Sequence, residues 1–375
     1  MPATRTPIGE LLQEVPRQPK IKRSEYQENG RFPIVDQSQA DIAGFTDDES
    51  WLYKGELPVV IFGDHTRVLK FVDFPFCVGA DGTQLLRPVA DNDIRYFYYA
   101  LRNVDLTNYG YERHFKYLKE EQIPVPPLPV QRRIAGILSA YDELMENNRR
   151  RIRLLEAMAR APYREWFVRP CQAGKLPKGW EMKRILEFGS VITGKTPSKA
   201  KSDFYGEDLP FVKTPDMHGN TFILAVGERL SAAGAESQAN KTLPTGSICV
   251  SCIGTIGVVS ITTEDCQTNQ QINSVVLANE HYREFLFFRL QDGKQALENL
   301  GSAGATMGNV NKGKFEALEV TTPPDALLNR YHQFAAPLFS EMLILSRQTV
   351  NLRRTRDLLL PRLLSGKVGL NGKET

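Results

Sequence analysis

An internal repeat constrains this 375-residue chain more tightly than any other feature of its sequence. Ile8-Gly9-Glu10-Leu11 aligns with Ile185-Leu186-Glu187-Phe188, and Phe32-Pro33-Ile34-Val35 with Leu209-Pro210-Phe211-Val212, both at an offset of 177. Gly63 in VVIFGDH matches Gly254 in VSCIGTI at an offset of 191, and Ile123 and Pro126 match Val320 and Pro323 at 197. The order is the same in both halves: a variable segment, a proline-rich hinge, then a long amphipathic stretch. A sequence built this way predicts two copies of one architecture rather than a single large core.

The hinges are IPVPPLP (123–129) and VTTPP (320–324). Proline fixes φ and keeps its predecessor out of the helical region, so each hinge closes a domain and opens a helix. The first helix is predicted from about Val130 to Val168. Its apolar residues follow a 4-3 spacing through Ile134, Leu138, Tyr141, Met145, Asn148, Ile152, Leu155, Ala159, Pro162 and Trp166. That is the spacing of a coiled-coil seam, in which the polar Asn148 fixes register and Pro162 bends the last turns. The second, from Asp325 to Leu364, repeats it through Tyr331, Ala335, Leu338, Met342, Leu345, Thr349, Leu352, Arg356, Leu359 and Leu363. Neither stripe is stable alone in water, and the simplest partner for each is the other, packed antiparallel as a rod of ~57 Å. The variable segments carry short β-branched and aromatic runs (58–62, 247–253, 258–261, 274–277) separated by turn residues, with one short helix each at 96–102 and 282–291. The fold class expected is α+β: two target domains joined by two long antiparallel coiled-coil helices, with a pseudo-two-fold repeat. The boundaries are 1–127, helix 128–170, 171–325, helix 326–368 and a flexible tail 369–375.

Bulk charge does not identify a partner. The net formal charge of +3 divides into −4 and −2 for the two long segments and +4 and +5 for the two helical ones. Nucleic-acid contact by the long segments therefore needs local patches rather than a global field. Five scattered cysteines (77, 171, 249, 252, 266) argue against a disulfide framework and for a reducing, cytoplasmic setting. The first 30 residues lack the apolar core of a secretion signal, and no apolar run approaches the ~18 residues of a membrane span.

Four stretches resemble type I restriction-modification specificity subunits. PLPVQRRIAGILSAYDELMENNRRRIRLLEAMARAPYREWF (127–167) is similar to their central conserved region. LPKGWEMKRILEFGSVITGKTPSKAKSDFYGEDLPFVKTPDM (176–217) is similar to the opening of a target-recognition domain. GSICVSCIGTIG (246–257) resembles the mid-domain glycine motif, and RTRDLLLPRLLSGKV (354–368) the C-terminal conserved helix. Where the second domain has GTIG, the first has GDHT. The resemblance implies a non-catalytic DNA-binding subunit whose two domains each read half of a split, asymmetric site. The helices act as a ruler and dock two methyltransferase subunits. S-adenosylmethionine is expected on those subunits and no cofactor on this chain, and a nuclease-translocase subunit can join the assembly. The alternative is a coiled-coil adaptor with two ligand-binding domains and no DNA role.

Several motifs compete with this reading. Gly189-x4-Gly194-Lys195-Thr196 matches a phosphate loop, but Pro197 follows at once and no periodic helix succeeds it, as nucleotide binding requires. The same loop could present Lys195, Thr196, Lys199 and Lys201 to DNA phosphates, or be plain surface. Cys249-x-x-Cys252 lies in a strand-like run, where residues three apart face opposite ways, so no metal site is expected. The run Arg149-Arg150-Arg151-Ile152-Arg153 is either a solvated face or a contact for phosphate or a partner subunit. Base readers are sought among polar loop residues: Asp64, His65, Thr66, Arg67, Arg113 and His114 in the first domain; Lys213, Thr214, Asp216, Asn269, Gln270, Asn309 and Asn311 in the second. Arginine reads guanine, and asparagine or glutamine reads adenine. Each fits a structural role equally well, and Gln270 and Asn273 also suit strand-edge hydrogen bonds. Neither an Asn-Pro-Pro-aromatic methyltransferase motif nor a nuclease-type carboxylate set is present in the sequence, and no catalytic residue is expected.

Overall fold

The computed structural model describes residues 4–16, 18–106, 113–173, 176–302 and 308–368, and the expected tail at 369–375 lies outside them. The chain forms two compact units. The first holds residues up to Met145 together with those from Leu352 onward; the second holds Glu146–Asn351. Each long helix is therefore shared between the units rather than standing apart as a separate segment.

In the first unit, β1 (Thr4–Pro7) leads into the single turn α1 (Ile8–Leu11). Then come β2 (Phe32–Val35), β3 (Gly44–Thr46), β4 (Val59–Gly63), β5 (Leu69–Val72), β6 (Cys77–Val78) and β7 (Thr83–Leu86). Helices α2 (Ile94–Arg102) and α3 (Phe115–Glu120) follow, then β8 (Gln122–Val125) and α4 (Leu128–Tyr163). The strands make a β1–β8 pair and two three-stranded sheets ordered β3-β2-β6 and β5-β4-β7. β4 alternates between two cores: Val60 and Phe62 face the helices, while Val59 and Ile61 pack with Val35, Phe76 and Val78. That alternation is the period of two of a strand covered on both faces.

The second unit is built to the same plan. It contains β9 (Glu181–Arg184), β10 (Gly189–Thr193), β11 (Tyr205–Val212), α5 (Thr214–Met217), β12 (Phe222–Ile223) and β13 (Arg229–Leu230). α6 (Ala232–Glu236), β14 (Ile248–Ser251), β15 (Val259–Thr262), β16 (Gln267–Thr268) and β17 (Ile272–Leu277) follow. α7 (Arg283–Asp292), α8 (Lys294–Ser302), α9 (Lys312–Glu316), β18 (Glu319–Thr322) and α10 (Asp325–Leu364) complete it. β9–β18 matches β1–β8, and β13-β11-β16 matches β3-β2-β6, each with one antiparallel and one parallel join. The larger sheet, β10-β17-β14-β15-β12, contains the counterpart of β5-β4-β7 and adds a strand at each edge. β12 falls where the second segment is longer than the first, whereas β10 aligns at the unchanged offset of 177 with residues 12–16, which make only a bridge from Leu12 to Pro88 at that edge. No described helix is long and apolar enough to cross a membrane.

The helices meet antiparallel within each unit. In the first, Ile134, Ala135 and Leu138 of α4 share a core with Leu360, Leu363 and Leu364 of α10, and Asp142 pairs with Arg356. In the second, Arg151 pairs with Glu341 at 2.7 Å, and Tyr331 Oη donates to the Ala159 carbonyl at 3.0 Å. The expected seam is buried at Ile134, Leu138, Met145 and Asn148, and half-buried at Tyr141, Ile152 and Leu155. Beyond Ala159 the 4-3 spacing fails. Tyr163 and Phe167 are buried in place of Pro162 and Trp166, and residues Arg164–Val168 form a π-helical turn. Pro162 has no N–H to return to residue 158, and a wider turn directly after it accommodates the missing bond. On α10, Met342 and Leu345 are buried as expected, but Leu338, Leu352 and Leu359 are half-buried, and Phe339 and Leu360 take the inner positions beside the first and last. The sheet and α7 demand a wider apolar face than a two-helix seam does.

Candidate nucleic-acid interface

Each unit carries one irregular hairpin tip, and the two tips are built by the same four backbone hydrogen bonds. In the first unit, the Gly63 N–H donates to Val68 O at 2.8 Å and the Arg67 N–H to Gly63 O at 2.7 Å, closing the turn between β4 and β5. The Asp64 N–H then donates to Gly82 O at 2.8 Å, and Asp64 O accepts the His114 N–H at 2.9 Å. In the second unit, Ser251 N–H donates to Val258 O and Gly257 N–H to Ser251 O, both at 2.9 Å, closing the turn between β14 and β15. Cys252 N–H donates to Gln271 O at 2.7 Å, and Cys252 O accepts the Val310 N–H at 2.9 Å. Gly63 therefore corresponds to Ser251, not to Gly254 as the glycine-to-glycine alignment has it. Four residues (64–67) fill the first tip and six (252–257) the second, so Gly254 falls inside the tip, where its φ of +76° suits glycine.

The sequence candidates divide on this frame. In the first unit His65, Thr66, Arg67 and Arg113 are exposed. Asp64 and His114 are buried beneath them: the Asp64 carboxylate accepts the Phe115 N–H at 2.8 Å, and His114 Nδ1 lies 3.0 Å from Asp64 O. Arg67, at φ +61°, donates to Leu106 O at 3.1 Å. The tip is flanked by Lys20, which sequence reasoning missed. Burial holds its ammonium below the ordinary lysine range, opposed by the charges of Asp81 and Asp64 and reinforced by Arg113. Lys20 and Arg113 are thus within electrostatic reach of one another.

In the second unit the structure gathers Lys195, Thr196, Asn269 and Gln270. Lys195 N–H donates to Thr268 O at 2.9 Å, and the Thr196 hydroxyl bonds Gln270 Oε1 at 2.5 Å. Gly194 permits this approach, because a Cβ there would stand 2.2 Å from both Asn269 O and Thr268 Oγ1. Asn309 joins through a β-bridge to Ile253. Asn269 is buried and exchanges hydrogen bonds with Gln271. Asn273 is also buried, donating to Val310 O and bonded to the Thr193 hydroxyl. Lys199 and Lys201 are exposed farther along the loop, with Lys201 Nζ 4.9 Å from the centre of the Phe204 ring.

Other candidates are occupied by structural work. Lys213 pairs with Glu228, and Thr214 is buried. Asp216 accepts the Lys213 N–H at 2.8 Å and the Gly227 N–H at 3.1 Å, and Asn311 caps α9 by accepting the Lys314 N–H at 2.9 Å. In the arginine run, Arg149 and Arg153 both pair with Glu146 and Arg151 with Glu341, which leaves Arg150 without an ion pair among the described residues. The phosphate-loop match is a strand, β10, whose loop continues to a single 3-10 turn at Ser202–Phe204 instead of a helix starting at Lys195. Cys249 and Cys252 belong to different cores, and burial pushes their thiols up to about 12 and about 11.

Comparison with known proteins places this geometry in a family. The model of the type I restriction modification DNA specificity domain matches twice, at residues 6–157 and 177–326. The chain is 42% identical over 195 residues to the type I restriction enzyme HindI specificity subunit of Haemophilus influenzae, covering 52% of this chain and 42% of that protein. It is 25% identical over 271 residues to the MjaIX specificity subunit of Methanocaldococcus jannaschii, covering 67% and 61%. The matched part thus spans about half the length of these two relatives. In fold, it resembles the crystal structure of a type I restriction-modification system S subunit from M. genitalium, with a TM-score of 0.58 at 14% identity over 96% of this chain and 95% of that one.

Proposed function

Because the chain belongs to the type I restriction modification DNA specificity domain family, we propose that it is the specificity subunit of a type I restriction-modification complex and reads a bipartite, asymmetric DNA site. One observation carries the reading: two tips with the same backbone scaffold present different side chains, His65-Thr66-Arg67 in one unit and Ile253-Gly254-Thr255 in the other. A shared scaffold suits a shared task, and different tips suit different base sequences. Lys20 and Arg113 in the first unit, and Lys195 in the second, supply the phosphate contacts that position such a tip. The long segments are net acidic overall, so these local cations carry the electrostatic attraction.

Specificity, not catalysis, is this chain's contribution. Methyltransferase subunits, two per specificity subunit, dock on the paired helices, bind S-adenosylmethionine and methylate adenine, and a restriction subunit joins where the system cleaves. The site of action is cytoplasmic DNA. Exposed apolar side chains on the helices, Leu154, Met158, Phe334 and Ile344 in the second unit, support a docking role.

The test is sequencing of modified bases in cells that express the partner methyltransferase with or without this chain. The expected result is N6-methyladenine at one split, non-palindromic motif only when both are present. Methylation that is unchanged by omitting the chain would overturn the proposal and favour the adaptor reading.

A further inference from the structure

We propose that Gln37 is the positioning residue of the first unit's tip, and that sequence discrimination by that tip, and by that tip alone, depends on it. The inference rests on the DNA-reading function proposed above and goes beyond it by assigning a residue and an asymmetry between the units. Gln37 stands two residues past the end of β2. Its amide Nε2 donates to Asp81 O at 2.7 Å, its Oε1 accepts the His65 N–H at 3.2 Å, and its backbone carbonyl accepts the Thr66 hydroxyl at 2.6 Å. One residue thereby ties together the loops that follow β2, β4 and β6. The space around it is shaped for this purpose. A Cβ on Gly63 would lie 2.1 Å from Thr66 Oγ1 and 2.9 Å from Gln37 Cβ, and one on Gly82, at φ +84°, would lie 2.9 Å from Gln37 Nε2.

Glutamine suits both contacts. His65 lies in the irregular part of the turn, where its N–H has no partner in the strand ladder, and Gln37 supplies an acceptor there while donating to the Asp81 carbonyl. A carboxamide is both at once. Glutamate keeps the acceptor, loses the donor, and adds a third carboxylate to those of Asp81 and Asp64. Asparagine is one methylene short of the same reach. Among the described residues the second unit has no equivalent clamp. Val35 and Val212 hold the same register against β6 and β16, so the counterpart of Gln37 is Thr214, whose buried hydroxyl has no hydrogen-bond partner among the described residues. There, Asn269 and Gln271 brace their own loop instead.

Loss of the clamp should therefore blur one half-site and spare the other, which no general loss of stability would do. The experiment compares modified-base motifs for the full complex carrying wild-type chain, Gln37→Ala, Gln37→Glu or Thr66→Val, with thermal melting of each purified chain. Expected is an increase of about tenfold or more in methylation at sites with substitutions in one half-site, the other half-site unchanged, for both Gln37 variants. Thr66→Val, which removes the hydroxyl's bond to the Gln37 carbonyl and its bond from the Val68 N–H, should relax the same half-site more weakly, and Gln37→Glu decides the matter if Gln37→Ala does not fold. Wild-type motifs in all three variants, or equal relaxation of both half-sites, would overturn the inference. A wild-type complex with no split motif would instead overturn the DNA-reading function, and this inference with it.

Discussion

Asp142 of α4 accepts a hydrogen bond from Tyr99 Oη at 2.5 Å and pairs with Arg356 of α10, which is 7% exposed. Tyr99 is tied to this carboxylate, and burial together with the Asp142 bond and charge pushes its phenol pKa upward. Removing Asp142 alone strands a buried hydroxyl and leaves Arg356 dependent on Asp357, which is half in solvent. Asp142→Ala should therefore cost about 2 kcal/mol of stability in denaturant unfolding. The double variant Asp142→Leu/Arg356→Met should recover the part of that loss due to the uncompensated Arg356 charge, leaving the cost of the unpaired Tyr99 hydroxyl. Such work was hidden in the sequence at several places. Asp64, Asp216 and Asn311 read there as polar loop residues able to reach a base, whereas their oxygens are taken by backbone N–H groups. For Asn311 the signal was present: an asparagine directly before a helix is a cap before it is anything else. Asp64 carried no such signal, because its partner, the Phe115 N–H, is 51 residues away.

At the scale of elements, the proline hinges and the two 4-3 stripes were legible because a periodic pattern some forty residues long averages over local exceptions. The register was legible only as far as Ala159. A π turn spends one residue more than an α turn, and nothing in the local composition beyond Pro162 announces where that residue goes. The hairpin tips failed for a related reason: glycines were matched to glycines, but the closing bonds at Gly63–Val68 and Ser251–Val258 show tips of unequal length. Asn148 is a sharper test of the seam. It is 6% exposed, as a register-fixing polar residue in a helical seam is expected to be. Asn148→Leu should raise stability by about 1 kcal/mol in thermal or denaturant unfolding, because a polar residue in a coiled-coil seam fixes register at a cost in stability. A fall of similar size would show that the amide is fully bonded and that the seam is not apolar at that point.

For the whole molecule, the decisive fact is that both long helices run from one unit into the other. α4 passes the division at Met145–Glu146 and α10 at Asn351–Leu352, so each unit has its core completed by a part of both. Neither unit can then be moved along the chain without the helices, and under the proposed function the helices would set the number of unread base pairs between half-sites. An insertion must preserve the antiparallel contacts on either side, Asp142 with Arg356 in one unit and Arg151 with Glu341 in the other. Four residues inserted near Asn148 in α4, matched by four near Thr349 in α10, satisfy that condition and add a rise of ~6 Å. At roughly 34 Å for each ten base pairs, the modified motif should gain about one or two unread positions while both half-sites keep their sequences. An insertion in α4 alone breaks the match of the two helices and should abolish the motif. Half-sites that change sequence while the spacer stays fixed would mean that the helices do not set the distance, and the bipartite reading would then have to find its ruler elsewhere.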